Sequence, residues 1–316
     1  MLGLHFINVG DGDAILVEER NGDEVFRLLV DTGRADAGAY PGSRRLTAGA
    51  YLRERGIARL DALVITHLHE DHFAGLAGVL ETAEIETVYS GFFPDAPVRA
   101  IARTGTEEKT VKGLINCLER WSVLTEAMRA KGCRLRQMEE TLPLRLTPRL
   151  RGELILAGSE AAARQRQVWT ALLKGGRTDR DMVWWSSKYR NPGALRARLY
   201  YAGRRIELAG DCYGAAWEDR AEKCDIFKVP HHGDAKSVTP ALLQRLRPLH
   251  AVISCPAEYI PRKDRPSLAA IGLLEEWGAQ VWFTDSFARR ENPPDCWASV
   301  DFTIREDGTI LPPARN

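Results

Sequence analysis

The chain has 316 residues with 44 Lys+Arg against 43 Asp+Glu, so its net charge of +1 gives no overall pull toward nucleic acid or membrane. It is long enough to bury one large core or two modest ones, and no apolar run reaches the roughly eighteen residues of a spanning helix, so no membrane part is expected. The six cysteines lack paired spacing such as C-x-x-C, which excludes a disulfide framework; Cys212 and Cys224 sit beside turns that carry chemistry.

In chain order, β-type runs occur at Gly3 to Glu18, Phe26 to Asp31, Leu63 to Thr66 and Thr87 to Gly91. Helical segments fall between them at Leu46 to Arg55 and Gly75 to Thr82, an alternation that implies layered α/β architecture. The chain enters a strand pattern at once, with no basic stretch leading into an apolar signal core, which points to a cytoplasmic location.

Residues 99–190 read as a largely helical insertion, a cap or lid. Leu114, Leu118, Trp121, Leu124 and Met128 recur at helical steps before Gly132, and Ser159 is placed to cap a second helix carrying Ala163, Val168, Leu172 and Leu173 before Gly175-Gly176. Residues 99–205 hold 23 Lys/Arg against 10 Asp/Glu, so a near-neutral total hides a basic middle. That excess is either a phosphate-backbone surface or a set of solvated helix faces. Trp184, Trp185 and Tyr189, among Arg180, Lys188 and Arg190, either stack bases and hold phosphates or anchor the insertion. A strand pattern resumes at Ala197 to Tyr201.

The densest chemistry lies in Thr66-His67-Leu68-His69-Glu70-Asp71-His72, directly after the apolar run Leu63-Val64-Ile65. Imidazole and carboxylate hold borderline divalent ions, and alternate positions on a strand-to-loop turn point the same way. His67 and His69 are therefore expected to face one ion, with Asp71 and His72 reaching a neighbouring one. A polar loop with incidental histidines does not account for four ligand-type residues at this spacing.

This H-x-H-x-D-H motif, with Phe73-Ala74-Gly75-Leu76 after it, resembles the metallo-β-lactamase superfamily. The turns around Val9-Gly10-Asp11-Gly12-Asp13-Ala14, Val30-Asp31-Thr32-Gly33, Leu208-Ala209-Gly210-Asp211 and Lys228-Val229-Pro230-His231-His232-Gly233 extend the likeness in the right order. Within the superfamily they are most similar to the ComEC-type hydrolase domain of bacterial competence channel proteins, a branch associated with nuclease activity. The match covers residues 1–98 and about 191–285. It implies a single domain over 1–316, a four-layer αββα sandwich in which 99–190 is the insertion.

The resemblance assigns His67 and His69 to one metal, Asp71 and His72 to a second, Asp211 to a bridge and His232 to the second metal. His231 is left as a catalytic or substrate-contact candidate. No histidine lies between His72 and His231, where many superfamily members carry a further ligand of the first metal, so that ion is short of one. One or two divalent ions are implied: zinc suits the histidines, and oxygen ligands completing the first site would favour manganese.

Asp13 is placed beside the metal shell, either contacting it or forming a turn, while Asp11 and Asp31 read as turn formers. His5 and His250 lie on apolar strand patterns and read as structural. Asn191 resembles an asparagine of the competence-type domain. Asp71 is expected to orient the attacking water, and the leaving-group acid is left open among Lys228, Lys236 and a water on the metal.

The leading expectation is a phosphodiesterase or nuclease that meets a phosphodiester or nucleic acid through the basic insertion. The alternatives are a thioester, lactone or β-lactam hydrolase and a non-catalytic regulatory module that keeps the metal site.

Overall fold

A computed structural model of the protein describes residues 1–98, 100–103, 105, 107–176, 178–257, 264–285 and 297–313. The chain opens with an antiparallel meander of β1 (Leu2–Ile7), β2 (Ile15–Asn21) and β3 (Glu24–Val30). After helix α1 (Ala48–Glu54) it turns parallel through β4 (Arg59–Ile65), β5 (Glu84–Ser90) and β6 (Arg134–Gln137). Helices α2 (Glu70–Phe73) and α3 (Leu76–Thr82) lie between β4 and β5, and α4 (Lys109–Ala130) precedes β6.

The second sheet begins with β7 (Leu142–Arg145) and β8 (Arg151–Ile155). It continues, after α5 (Ser159–Leu173) and α6 (Arg180–Lys188), through β9 (Arg196–Tyr201), β10 (Arg204–Leu208) and β11 (Ile226–Lys228). Past α7 (Pro240–Leu246), β12 (His250–Ile253), α8 (Leu268–Glu276) and β13 (Gln280–Phe283) complete it. The chain then returns to the first sheet as β14 (Ser299–Ile304) against β1 and β15 (Ile310–Leu311) at its edge. The result is an eight-stranded sheet facing a seven-stranded one.

Side-chain alternation fixes the layers. On β1 and β3, Leu2, Leu4, Phe6, Leu28 and Val30 point between the sheets, where they meet Leu199, Tyr201, Ile206 and Leu208 from β9 and β10. The alternate residues Leu29, Leu63 and Ile65 face outward and are covered by α1, α3 and α4. On the other sheet Phe227, Ala251 and Ile253 face outward under Leu242, Leu246 and Leu274 of α7 and α8. Two apolar faces per sheet therefore require a helix layer on each outer side, the αββα sandwich that the resemblance implies.

Residues 99–190 carry the expected helices and three strands besides. Leu114, Leu118, Trp121 and Met128 turn α4 into the helix layer of the first sheet, and Gly132, at φ 77°, follows its end. Ser159 is the first residue of α5 and Gly158 occupies the cap, a correction to the expected Ser159 cap. Short strands β6, β7 and β8 extend both sheets, so this segment is sewn into the sandwich at its edges. No described helix is long and apolar enough to cross a membrane, and the five described cysteines are free and buried.

Candidate metal centre

Three strands end at one place. β4 delivers Thr66 to His72, β10 delivers Ala209 to Asp211, and β11 delivers Val229 to His232, all from carboxyl ends of parallel-paired strands, where open α/β sheets expose their loops. A backbone bond from Leu195 N to Thr66 O, 2.9 Å, ties the two sheets together there. Gly12 packs against the Asp71 carbonyl so closely that a Cβ would sit 2.5 Å from it, so this turn position takes glycine for lack of room.

The ligand atoms form two groups that share Asp211. His67 Nε2 lies 2.8 Å from His69 Nδ1 and 3.6 Å from Asp211 Oδ2. His72 Nε2 lies 3.3 Å from Asp211 Oδ1, and His232 Nε2 lies 3.5 Å from Asp71 Oδ2 and 3.9 Å from Asp211 Oδ1. In the second group His72 Nε2, His232 Nε2 and Asp211 Oδ1 are buried without a hydrogen-bond partner. Buried polar atoms are rarely left so, and three of them converging from imidazole and carboxylate fit a divalent cation. His67, His69 and Asp211 form a separate grouping of ligand distance, and so do Asp71, His72 and His232.

The partners behind the ligands set which nitrogen faces inward. Thr66 Oγ1 donates to Asp31 Oδ2 at 2.7 Å and lies 3.1 Å from His67 Nδ1; with its own proton spent, it accepts from that ring, leaving His67 Nε2 as a lone pair. Asp31 Oδ2 also lies 2.8 Å from His72 Nδ1, and Ser254 O lies 3.1 Å from His232 Nδ1, with the same outcome for those rings. His231 and His232 both adopt positive φ, 46° and 56°, the strained conformation that turns consecutive imidazoles into one site.

Burial pushes the His67 imidazole well below its ordinary pKa, helped by His72 and His69, so it stays neutral and able to ligate. His69 is lowered to about 3 by burial and then by the Arg190 charge. Burial acts to raise Asp211, but His72, His232 and His231 outweigh it and hold the carboxyl well below the usual range.

Asp13 is buried, and its Oδ2 meets the buried Lys228 ammonium, which also donates to Gly210 O at 3.0 Å. Lys228 is thereby pinned behind the ligand turns and does not line the cleft over the centre. Lys236 is exposed and does not line the cleft over the centre. Asn191 donates through Nδ2 to Tyr213 Oη at 3.3 Å, with its Oδ1 buried and unpartnered. His231 lines the cleft, with Nδ1 held by Asp234 and Nε2 3.9 Å from Asp211 Oδ2. Trp185 and Tyr189 stack on each other at 5.1 Å, while Trp184 is exposed and bonded to Glu108.

Asp31 corrects its turn-forming reading, because it is buried and holds both Thr66 and His72. The spacing that hinted at this was its position at the end of a strand parallel to β4. Asp11 pairs with Arg34 at 3.0 Å. Sequence reasoning did not reach Asp234, Tyr213 and Arg34; of these only Asp234, three residues after His231, left a local signal, while Arg190 is one of the cations set beside the insertion's aromatics.

Residues 7–102 match the family described as the Metallo-beta-lactamase superfamily. That match contains the whole His67 to His72 motif, and with the two-sheet sandwich it supports membership of that superfamily. Among solved structures the chain is similar to YhfI from Bacillus subtilis, a metallo-beta-lactamase fold protein, at 12% identity over 89% of this chain and 95% of that one, TM-score 0.47. It is also similar to zinc-bound PqqB from Methylobacterium extorquens, at 10% identity over 90% and 98%, TM-score 0.46. A diphosphatase of the PhnP family matches at 13% identity over 98% and 97%, TM-score 0.41. Likeness of this extent says nothing about substrate. No curated protein matches the chain.

Proposed function

We propose that this protein is a metal-dependent phosphoesterase acting on phosphodiesters, with nucleic acid as the leading substrate class. The observation that carries the reading is the pairing of a two-group ligand set with cations: Arg34, Lys109, Arg190 and Arg265 line the same cleft of about 360 Å³ as His69, Asp71, Asp211 and His231. A neutral lactone has no use for that charge. The likeness of the glycine-rich turn and the HHG turn to the ComEC-type domain supports the same choice, as does the excess of 23 Lys/Arg over 10 Asp/Glu in residues 99–205.

Zinc is the ion that the imidazole-rich set favours, with manganese second. Bound ions would activate water and neutralise charge on the phosphoryl group. The chain's own residues do the rest. His67, His69, Asp71, His72, Asp211 and His232 hold the centre, and Asp71, at its mouth, orients the attacking water. His231, steadied by Asp234, presents Nε2 toward the cleft and passes a proton to the leaving oxygen as the ester P–O bond breaks.

The test is hydrolysis by zinc- or manganese-loaded protein of single- and double-stranded DNA, RNA, cyclic dinucleotides and bis(p-nitrophenyl) phosphate, beside a thioester and lactone panel, with Asp71→Ala as control. Cleavage of carbonyl substrates alone would overturn the proposal. If nucleic acid is the partner, its binding weakens steeply with salt, and charge reversal within 99–190 flattens that slope.

A further inference from the structure

The buried arginines of this chain obey one rule with one exception. Among the described residues, Arg45 meets Asp285 at 2.6 Å, Arg196 and Arg198 meet Glu207 at 2.5 and 2.7 Å, and Arg265 faces Asp11 at 3.9 Å. Arg190 is only 6% exposed and pairs with no carboxylate. Its Nε donates to Ser187 O at 3.1 Å, and its Nη1 donates to Leu68 O at 3.0 Å and lies 3.5 Å from Cys117 Sγ. Burial holds the Cys117 thiol up at about 11, so that neighbour brings no charge. Asp71 and Glu70 of the same cleft act on it only through space, with no ion pair to either. A buried guanidinium without a bonded counter-ion is costly, and three neutral acceptors do not discharge it.

The remaining edge, Nη2, makes no hydrogen bond among the described residues, and it belongs to a residue that lines the cleft over the metal centre. Leu68, which Arg190 grips, stands between His67 and His69, so the charge is held at the loop that carries that pair of histidines. Space in front of Nη2 is kept by Gly113 of α4: a Cβ there would meet only that nitrogen, at 3.9 Å. Lys109 and Asn116, on the same helix, line the same cleft.

We infer that Arg190 is the anion-recognition residue of this enzyme, its Nη2 taking a phosphoryl oxygen of the substrate and thereby selecting anionic phosphoesters over neutral esters. This deepens the phosphoesterase reading and takes the identity of the anion from it. Guanidinium matches phosphate oxygens in charge and hydrogen-bond geometry, and a bound phosphoryl group supplies the hydrogen-bonded counter-charge that Asp71 and Glu70 do not.

Calorimetric titration of inorganic phosphate into zinc-loaded protein tests this, with metal content measured in parallel. Arg190→Met should weaken phosphate binding by about tenfold or more, and Arg190→Lys by less. Unchanged affinity in Arg190→Met would overturn the inference and leave Arg190 an anchor of the Leu68 loop. If Arg190→Met fails to fold or loses metal, Gly113→Leu decides, since it fills the space before Nη2 and leaves all three anchoring contacts in place. Weakened phosphate binding at full metal content supports the site, and unchanged binding overturns it. Arg190-dependent phosphate binding in a protein that cleaves no phosphoester keeps the anion site and removes the phosphoesterase reading. Phosphoester cleavage with Arg190-independent binding does the reverse.

Discussion

Asp31 Oδ2 lies 2.8 Å from His72 Nδ1, and through Thr66 Oγ1 the same oxygen also governs His67, so one buried carboxylate orients a ligand in each of the two metal groups. Asp31→Asn keeps the size but presents an amide to two donors. The variant should lose metal affinity or activity by about 10–100-fold, the range for partners behind metal-bound histidines. Competition with a chelator measures the affinity, and wild-type values would return Asp31 to its turn-forming role.

Metal removal should cost stability as well as activity. His72 Nε2, His232 Nε2 and Asp211 Oδ1 are buried, face one another at 3.3 to 3.9 Å and have no hydrogen-bond partner. An ion at a hundred times its dissociation constant adds about 2.7 kcal/mol. Chelation should therefore lower Tm by several degrees and added zinc should restore it. In Asp211→Ala, whose carboxylate serves both groups, the zinc-dependent gain should shrink sharply.

Two neighbouring glycines should respond in opposite directions. A Cβ at Gly75 would sit 2.1 Å from the Thr32 carbonyl, so Gly75→Ala forces backbone apart beside the ligand loop. It should destabilise by about 1–3 kcal/mol or more, and loosen metal binding with it. At Gly78, inside α3, a Cβ meets nothing within 4 Å. There alanine should gain up to about 1 kcal/mol from helix propensity. Urea denaturation of both variants checks the pair.

The sequence exposes what repeats or clusters locally. The alternation in β1 to β5, the helical spacing of α4 and the density of His67 to His72 were all readable because each is a short-range pattern. Strands β6 to β8 were not, since Arg134-Leu135-Arg136-Gln137 is a polar edge segment stabilised by its neighbour β5 rather than by its own pattern. The role of Asp31 and the setting of Arg190 were hidden for a related reason. An Asp-Thr-Gly run looks like a turn until strand pairing sets it against Thr66, and an arginine in a basic stretch looks solvated until the packed chain leaves it without a carboxylate.

A second histidine site far from the metal ligands should make stability depend on pH. His5, on β1, bridges Asp301 Oδ1 at 2.9 Å and Glu18 Oε2 at 3.4 Å. Burial acts to lower His5, but its bonds to Asp301 and Glu18 outweigh that and raise it above the ordinary 6.5. Burial acts to raise Glu18, but His5 and Arg27 bring it down to about 2. A raised histidine stabilises fully below its unfolded pKa and loses that contribution as pH rises through its folded value. A depressed carboxyl contributes above its unfolded pKa, ordinarily 4.5, and loses that as pH falls toward 2. The cluster is thus worth most between the two ordinary values, 4.5 and 6.5. His5→Gln should cost more stability in urea at pH about 5.5 than at higher pH, where wild-type His5 gives up its proton as well. A penalty that stayed level or grew toward high pH would show that the ring stabilises by packing, without its charge.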